Sequence, residues 1–167
     1  MPRIAVVTDS TAYLPVDVAA ARDLTVVPIT VVIGSHEGLE GVDIAPSDVA
    51  AALTARRVNV TTSRPAPAEF EAVYRRLLDD GADGVVSVHL SSKLSGTYDA
   101  AVLAAAEFDG RVEVVDGQSA GMGLGFAALS ASAAAHAGED LPGVRAAASA
   151  CVDRTTVLFY VDSLEFL

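Results

Sequence analysis

The feature that most constrains this chain is an alternation along its length, in which short runs of β-branched residues give way to alanine-rich segments with helical spacing. Arg3 to Thr8 reads as a strand, Pro15 to Arg22 as a short helix, and Thr25 to Ile33 as a second strand of continuous Val/Ile character. Strands that are apolar throughout are buried on both faces, as in a parallel sheet covered by helices. Gly34 to Gly41 is glycine-rich and reads as a surface hairpin or loop, after which Ser47 caps a helix running to about Arg57. Between Ala68 and Asp80, Phe70, Val73, Tyr74, Leu77 and Leu78 form one helical stripe, which Gly81 ends. A strand at Gly84 to Leu90, a helix at Thr97 to Phe108 and a strand at Arg111 to Asp116 then repeat the β–α–β unit. Helices at about Ala120 to Ala137 and Pro142 to Arg154 precede a last expected strand at Thr156 to Val161. The fold class that follows is α/β, an open and mostly parallel sheet with helices on both faces, a Rossmann-like three-layer sandwich.

The length of 167 residues suits one domain, and a hydrophobic fraction of 51% is ample for a core of its own. A net charge of −11 repels phosphate backbones and anionic lipid, so neither nucleic acid nor a membrane surface is an expected partner. The apolar stretch Ala120 to Ala137 carries three glycines, two serines and His136, which reads as a buried helix rather than a membrane span. A single cysteine, Cys151, excludes an internal disulfide, and the apolar run Ile4 to Val7 is too short for a signal-peptide core, so the expected location is cytoplasmic. Asp162 to Leu167 reads as the start of another element, and the chain is expected to end at a domain boundary.

Two hydroxyl-rich loops interrupt this aliphatic background: Thr61-Thr62-Ser63-Arg64-Pro65, and Ser91-Ser92-Lys93-Leu94-Ser95-Gly96-Thr97. In an open α/β sheet ligands collect at the carboxyl ends of the strands, where loops diverge and helix N-termini point inwards. Ser91 to Thr97 falls at such an end, as do Thr8-Asp9-Ser10-Thr11 and Asp116-Gly117-Gln118-Ser119, and the 61–63 segment is a candidate fourth wall. Ser95-Gly96-Thr97 opens a helix, where a hydroxyl and free N–H groups hold a carboxylate or phosphate oxygen, or simply cap the helix. Thr62 and Ser63 have the same alternative, as caps of the helix that Pro65 helps to start. Arg64 and Lys93 are the cations inside these segments, each a counter-charge or a solvated side chain. No ligand spacing for a metal surrounds Asp9 or Asp116, and no metal is expected. Ser95 lacks a Gly-x-Ser-x-Gly frame, so a hydrolase built on Ser95 with His89 as base is a minor alternative to a satisfied strand-end histidine. Gly121-Met122-Gly123-Leu124-Gly125 misses the dinucleotide pattern, and its small residues read as close packing or room for a slender apolar ligand.

Taken in order, Thr8-Asp9-Ser10-Thr11, Gly41-Val42-Asp43-Ile44, Thr62-Ser63-Arg64-Pro65, Ser91 to Tyr98, Met122-Gly123-Leu124-Gly125 and Asp162-Ser163-Leu164-Glu165 resemble the DegV family of bacterial fatty-acid-binding proteins. The resemblance implies one bound long-chain fatty acid, no other cofactor and no catalytic residue. It implies Thr62 and Ser95 as the main carboxylate donors, Ser63, Ser92 and the Gly96 backbone as further donors, and Ser10, Arg64 and Ser119 as supporting residues. It also implies a partner, a separate fatty-acid kinase of the dihydroxyacetone-kinase type that converts the presented acid to an acyl phosphate. Arg64 stands where the family commonly has glutamine, and Ala66 where it often has serine. The family's second, α+β domain, which closes the far side of the ligand tunnel, is expected to be absent from these residues. A different function remains open beside this one, an α/β enzyme acting on a phosphorylated small molecule at the Ser95 helix N-terminus.

Overall fold

A computed structural model describes residues 1–55, 58–158 and 160. Four parallel strands form the main sheet: β1 (Ile4–Asp9), β2 (Leu24–Val27), β6 (Gly84–His89) and β7 (Val112–Asp116), in the order β2-β1-β6-β7. Helices α1 (Val16–Ala21) and α4 (Thr97–Ala105) lie in the crossovers β1–β2 and β6–β7. Strand order therefore runs outward in opposite directions from β1 and β6. The gap between their carboxyl ends is the topological switch point, where an α/β sheet offers its ligand crevice.

Successive residues of β1 and β6 point to opposite faces, and each face has its own apolar cluster. On one side Ile4, Val6, Val86 and Val88 pack with Leu124, Ala127, Ala128 and Ala131 of α5 (Met122–His136), and with Val144 and Ala148 of α6 (Leu141–Val152). On the other, Val7 and Val85 pack with Phe70, Tyr74 and Leu78 of α3 (Pro67–Asp79) and Ala100, Ala101 and Ala104 of α4. This is the three-layer sandwich read from the sequence.

Several sequence expectations are corrected. The apolar run Thr25 to Ile33 is two strands, β2 and β3 (Thr30–Ile33), which belong to different sheets. Pro28 lies at the break, where its missing N–H and fixed φ end the parallel ladder. The segment at Thr61–Ser63 is a strand and not a loop: β5 (Val60–Ser63) pairs antiparallel with β3, whose other edge carries β4 (His36–Leu39) in the hairpin expected at 34–41. Ile29, Val31 and Ile44 form a small separate core beneath this second sheet, with Val49 of α2 (Pro46–Ala55) packed against it. Finally, α2 starts at Pro46, so Ser47 sits inside its first turn, and the Asp48 carboxylate accepts from Ala45 N at 2.9 Å. The expected end of this helix at Arg57 lies outside the described residues, as do Val161 and the Asp162-Ser163-Leu164-Glu165 motif. Of the last expected strand, Thr156, Val157, Leu158 and Tyr160 are described, and they are not in a strand.

Candidate functional site

Strand β5 exposes Thr61, Thr62 and Ser63, and the Arg64 that follows reaches across to the serine segment. Its guanidinium Nη1 donates to the Gly96 carbonyl at 3.4 Å, although the two residues are 32 positions apart. The contact is close enough that a Cβ on Gly96 would overlap the guanidinium. The side chain that follows the hydroxyl strand therefore rests on the serine loop and sets a cation beside it. Thr62 and Ser63 do not cap α3: that helix begins at Pro67, and the Glu69 carboxylate accepts from Ala66 N at 2.6 Å in their place.

The serine loop, Leu90 to Gly96, is folded on itself. The Ser91 carbonyl accepts from Leu94 N at 2.9 Å and Ser95 N at 3.1 Å, forming a single turn ahead of α4. Ser95 Oγ accepts from Thr97 N at 3.3 Å and lies 2.9 Å from Thr97 Oγ1. It thus satisfies one donor of the helix start while half-buried. Ser92 is engaged elsewhere: its Oγ donates to Asp116 Oδ2 at 2.6 Å and its N–H to Asp116 Oδ1 at 3.2 Å. Ser10 and Ser119 make their side-chain hydrogen bonds away from the Arg64–Gly96 contact. Ser10 Oγ donates to Glu40 Oε2 at 2.6 Å and accepts from Ile29 N at 3.0 Å. Ser119 is buried, with its Oγ directed to the Ala120 carbonyl at 3.4 Å and its own carbonyl accepting from Ser91 N at 3.0 Å.

Beneath the loop runs a polar relay that the sequence did not disclose. Asp9, Ser87, His89 and Tyr74 are each 0% exposed. Tyr74 OH donates to Ser87 Oγ at 2.8 Å, Ser87 Oγ lies 2.6 Å from His89 Nε2, and His89 Nδ1 lies 3.0 Å from Asp9 Oδ2. Asp9 as an ionised acceptor takes the Nδ1 proton, and the direction of the Ser87–Nε2 bond follows the protonation of His89. Asp9 also accepts from Leu90 N and Thr11 N, both at 3.0 Å, and from Thr11 Oγ1. Burial alone would raise the Asp9 carboxyl, but the hydrogen bond and charge of His89, then Thr11 and the Leu90 N–H, hold it below its ordinary value. Burial likewise pushes the Tyr74 phenol well above its usual range, against the Ser87 bond. The relay has the connectivity of a Ser–His–Asp triad without its access to substrate, so it has no nucleophile to offer. Both nitrogens of His89 are taken, which leaves none to serve Ser95 as a base. The only sequence signal for the relay is that polar residues close two apolar strands, Thr8-Asp9 and Val88-His89.

A cavity of about 650 Å³ opens between α1, β2 and the turn after β4, lined by Ala12, Leu14, Val16, Leu24, Val26 and Glu40 among others. Its walls are mainly apolar, and two buried acids line it, Asp9 and Glu40, the latter bonded by Ser10 and by Tyr13 OH at 3.2 Å. Such a wall accommodates an apolar chain and repels a carboxylate, whereas the Arg64 contact with the serine loop is cationic. Among the described residues, no group of three or more His, Cys, Asp or Glu is arranged to hold a metal, and no helix is long and apolar enough to cross a membrane.

Comparison with known proteins gives a consistent result. The model of the DegV family, described as a family of uncharacterised proteins, matches residues 3–167. A DegV domain-containing protein of Streptomyces coelicolor is 48% identical over 164 residues, covering 98% of this chain and 58% of the relative. A Thermus thermophilus structure described as showing fatty-acid binding of a DegV family protein superimposes with a TM-score of 0.83 at 39% identity, covering 90% of this chain and 54% of that one. A Bacillus subtilis structure, described as DegV, a fatty-acid-binding protein, gives 0.83 at 28% identity, covering 92% and 55%. The chain thus spans between half and three-fifths of the length of these relatives.

Proposed function

The chain belongs to the DegV family, and from that premise we propose that it supplies the head-group side of a long-chain fatty-acid site. Thr62 of β5 and Ser95 of the serine loop are the main carboxylate donors, with Ser63 and the Gly96 backbone beside them and Arg64 as counter-charge. Ser92, bonded to Asp116, shapes the loop and is at most a secondary donor. In the whole protein the acid is presented to a separate fatty-acid kinase, and this chain contributes no bond-making step of its own.

The observation that supports the reading is the contact of Arg64 Nη1 with the Gly96 carbonyl, which brings the cation that follows the exposed hydroxyls of β5 onto the serine loop. The energetics agree with it. An ionised carboxylate buried without partners is costly, so an acidic protein that takes up a fatty acid needs clustered donors at the mouth. A C16–C18 tail contributes on the order of 10 kcal/mol at about 0.8 per buried methylene, so affinity comes from the tail and orientation from the loops.

The test is extraction of the purified full-length protein with organic solvent and mass spectrometry of the extract, followed by titration with palmitate. A stoichiometric fatty acid, and palmitate binding weakened at least about tenfold in Thr62→Ala/Ser95→Ala, are expected. A blank extract together with no palmitate binding overturns the proposal, and stabilisation by inorganic phosphate in its place would favour a phosphorylated small molecule at the start of α4.

A further inference from the structure

The serine loop is held by two carboxylates that flank it symmetrically. In the sheet register Thr8 of β1 pairs with Val88 and His89 of β6 pairs with Asp116 of β7, so Asp9, His89 and Asp116 lie at one level across three adjacent strands. The chain leaving β6 meets an acid on each side. Asp9 takes the Leu90 N–H at 3.0 Å, and Asp116 takes both the N–H and the hydroxyl of Ser92. These acids order opposite flanks of the segment that ends at Ser95 and Gly96. Asp116 also accepts from Gln118 N at 2.9 Å, and Asp9 from Thr11 N, so each acid fixes the turn after its own strand as well.

We propose that Asp9 and Asp116 are positioning residues for the ligand: they fix the serine loop in the geometry that presents Ser95 and the Gly96 backbone. Neither carboxylate touches the ligand. This rests on the reading that the acid head binds at the serine loop. The physical basis is donor counting. Every group around Asp9 presents a proton to it, and only a group that accepts on both oxygens satisfies them all. An amide in its place turns an NH2 group towards either Thr11 N or Leu90 N, so one backbone donor is left unmet whichever way it rotates.

The experiment compares Asp9→Asn, Asp116→Ala, Asp116→Asn and Tyr74→Phe in the full-length protein, by amide hydrogen exchange, palmitate affinity and unfolding midpoint. Asp9→Asn and Asp116→Ala are expected to speed exchange of the Ser92, Leu94 and Ser95 amides and to weaken palmitate binding, each on the order of tenfold. Asp116→Asn retains an acceptor for Ser92 N–H and is expected to recover most of the affinity. Tyr74→Phe removes the far end of the relay and should lower the unfolding midpoint while leaving loop exchange and affinity unchanged. Unaltered loop exchange in both Asp9→Asn and Asp116→Ala overturns the proposal, as do losses of affinity that merely track the unfolding midpoint across all four variants. If the wild-type protein takes up no palmitate, the fatty-acid reading is what fails, and the exchange comparison still decides whether the two acids set the loop.

Discussion

Arg64 and Gly96 act as a pair, and the contact between them predicts how each responds to substitution. Gly96 has ordinary helical-side backbone angles, φ −77° and ψ 13°, so alanine there introduces no backbone strain. Its Cβ would instead occupy the space of the Arg64 guanidinium, the far end of a flexible side chain that can swing aside. Gly96→Ala is therefore expected to mimic Arg64→Gln. Each should weaken palmitate binding by roughly fivefold, about 1 kcal/mol for an exposed charge-assisted contact, with an unfolding midpoint close to wild type. Isothermal titration beside thermal unfolding checks this, and full affinity in Gly96→Ala would remove Arg64 from the site. Asp9 gives a prediction in pH. Its carboxyl lies below the ordinary value of about 4 in the folded state, so its contribution to stability is present above that value and is lost as pH falls through the depressed one. Unfolding free energy measured between about pH 5 and pH 2 should fall more steeply in the wild type than in Asp9→Asn. Parallel curves would show that the Asp9 carboxylate is not preferentially stabilised.

At the scale of elements, the main sheet and its helices were legible because burial on both faces leaves a continuous apolar run, and helical coverage leaves a stripe such as Phe70, Tyr74 and Leu78. Periodicity does not say which sheet a run joins, so β2 and β3 merged across Pro28 in the sequence reading. Polarity misled at β5: Thr61 to Ser63 are exposed, and their strand character comes from a partner, Val31 and Val32, that is distant in sequence. The relay beneath the site was illegible for the same reason, since Asp9 and His89 are 80 positions apart. The hydroxyls of Thr62 and Ser95 were visible because they interrupt aliphatic sequence. The small residues of α5 were read as close packing, and the contacts of that helix yield a prediction. A Cβ on Gly125 would come within 2.9 Å of the Ala12 carbonyl oxygen, a backbone atom in the turn that follows β1. Gly125→Ala is expected to destabilise the fold by about 1–3 kcal/mol through overpacking. Urea titration should show a lowered midpoint with an unchanged slope, and a midpoint equal to wild type would mean that α5 and the turn separate without cost.

For the molecule as a whole, the charge balance decides where an anionic ligand can approach. A net charge of −11 repels a fatty acid at long range, and the buried Glu40 repels a carboxylate from the cavity beside α1, so in the proposed site Arg64 and Lys93 are the cationic approach. Binding at that proposed site would couple the second sheet, through β5, to the main sheet, through the serine loop, two units with separate cores. A ligand that spans them stabilises the folded state by mass action, about 2.7 kcal/mol when free ligand is a hundredfold above its dissociation constant. For a domain of this size that corresponds to a rise in unfolding temperature of roughly 5–10 °C. The expectation is such a shift with palmitate, a much smaller one with methyl palmitate, which lacks the charge, and in Thr62→Ala/Ser95→Ala a palmitate shift reduced to that of the ester. Equal shifts for the acid and its ester would show that the tail alone is recognised, and would remove the carboxylate from the account of how the two hydroxyl segments work.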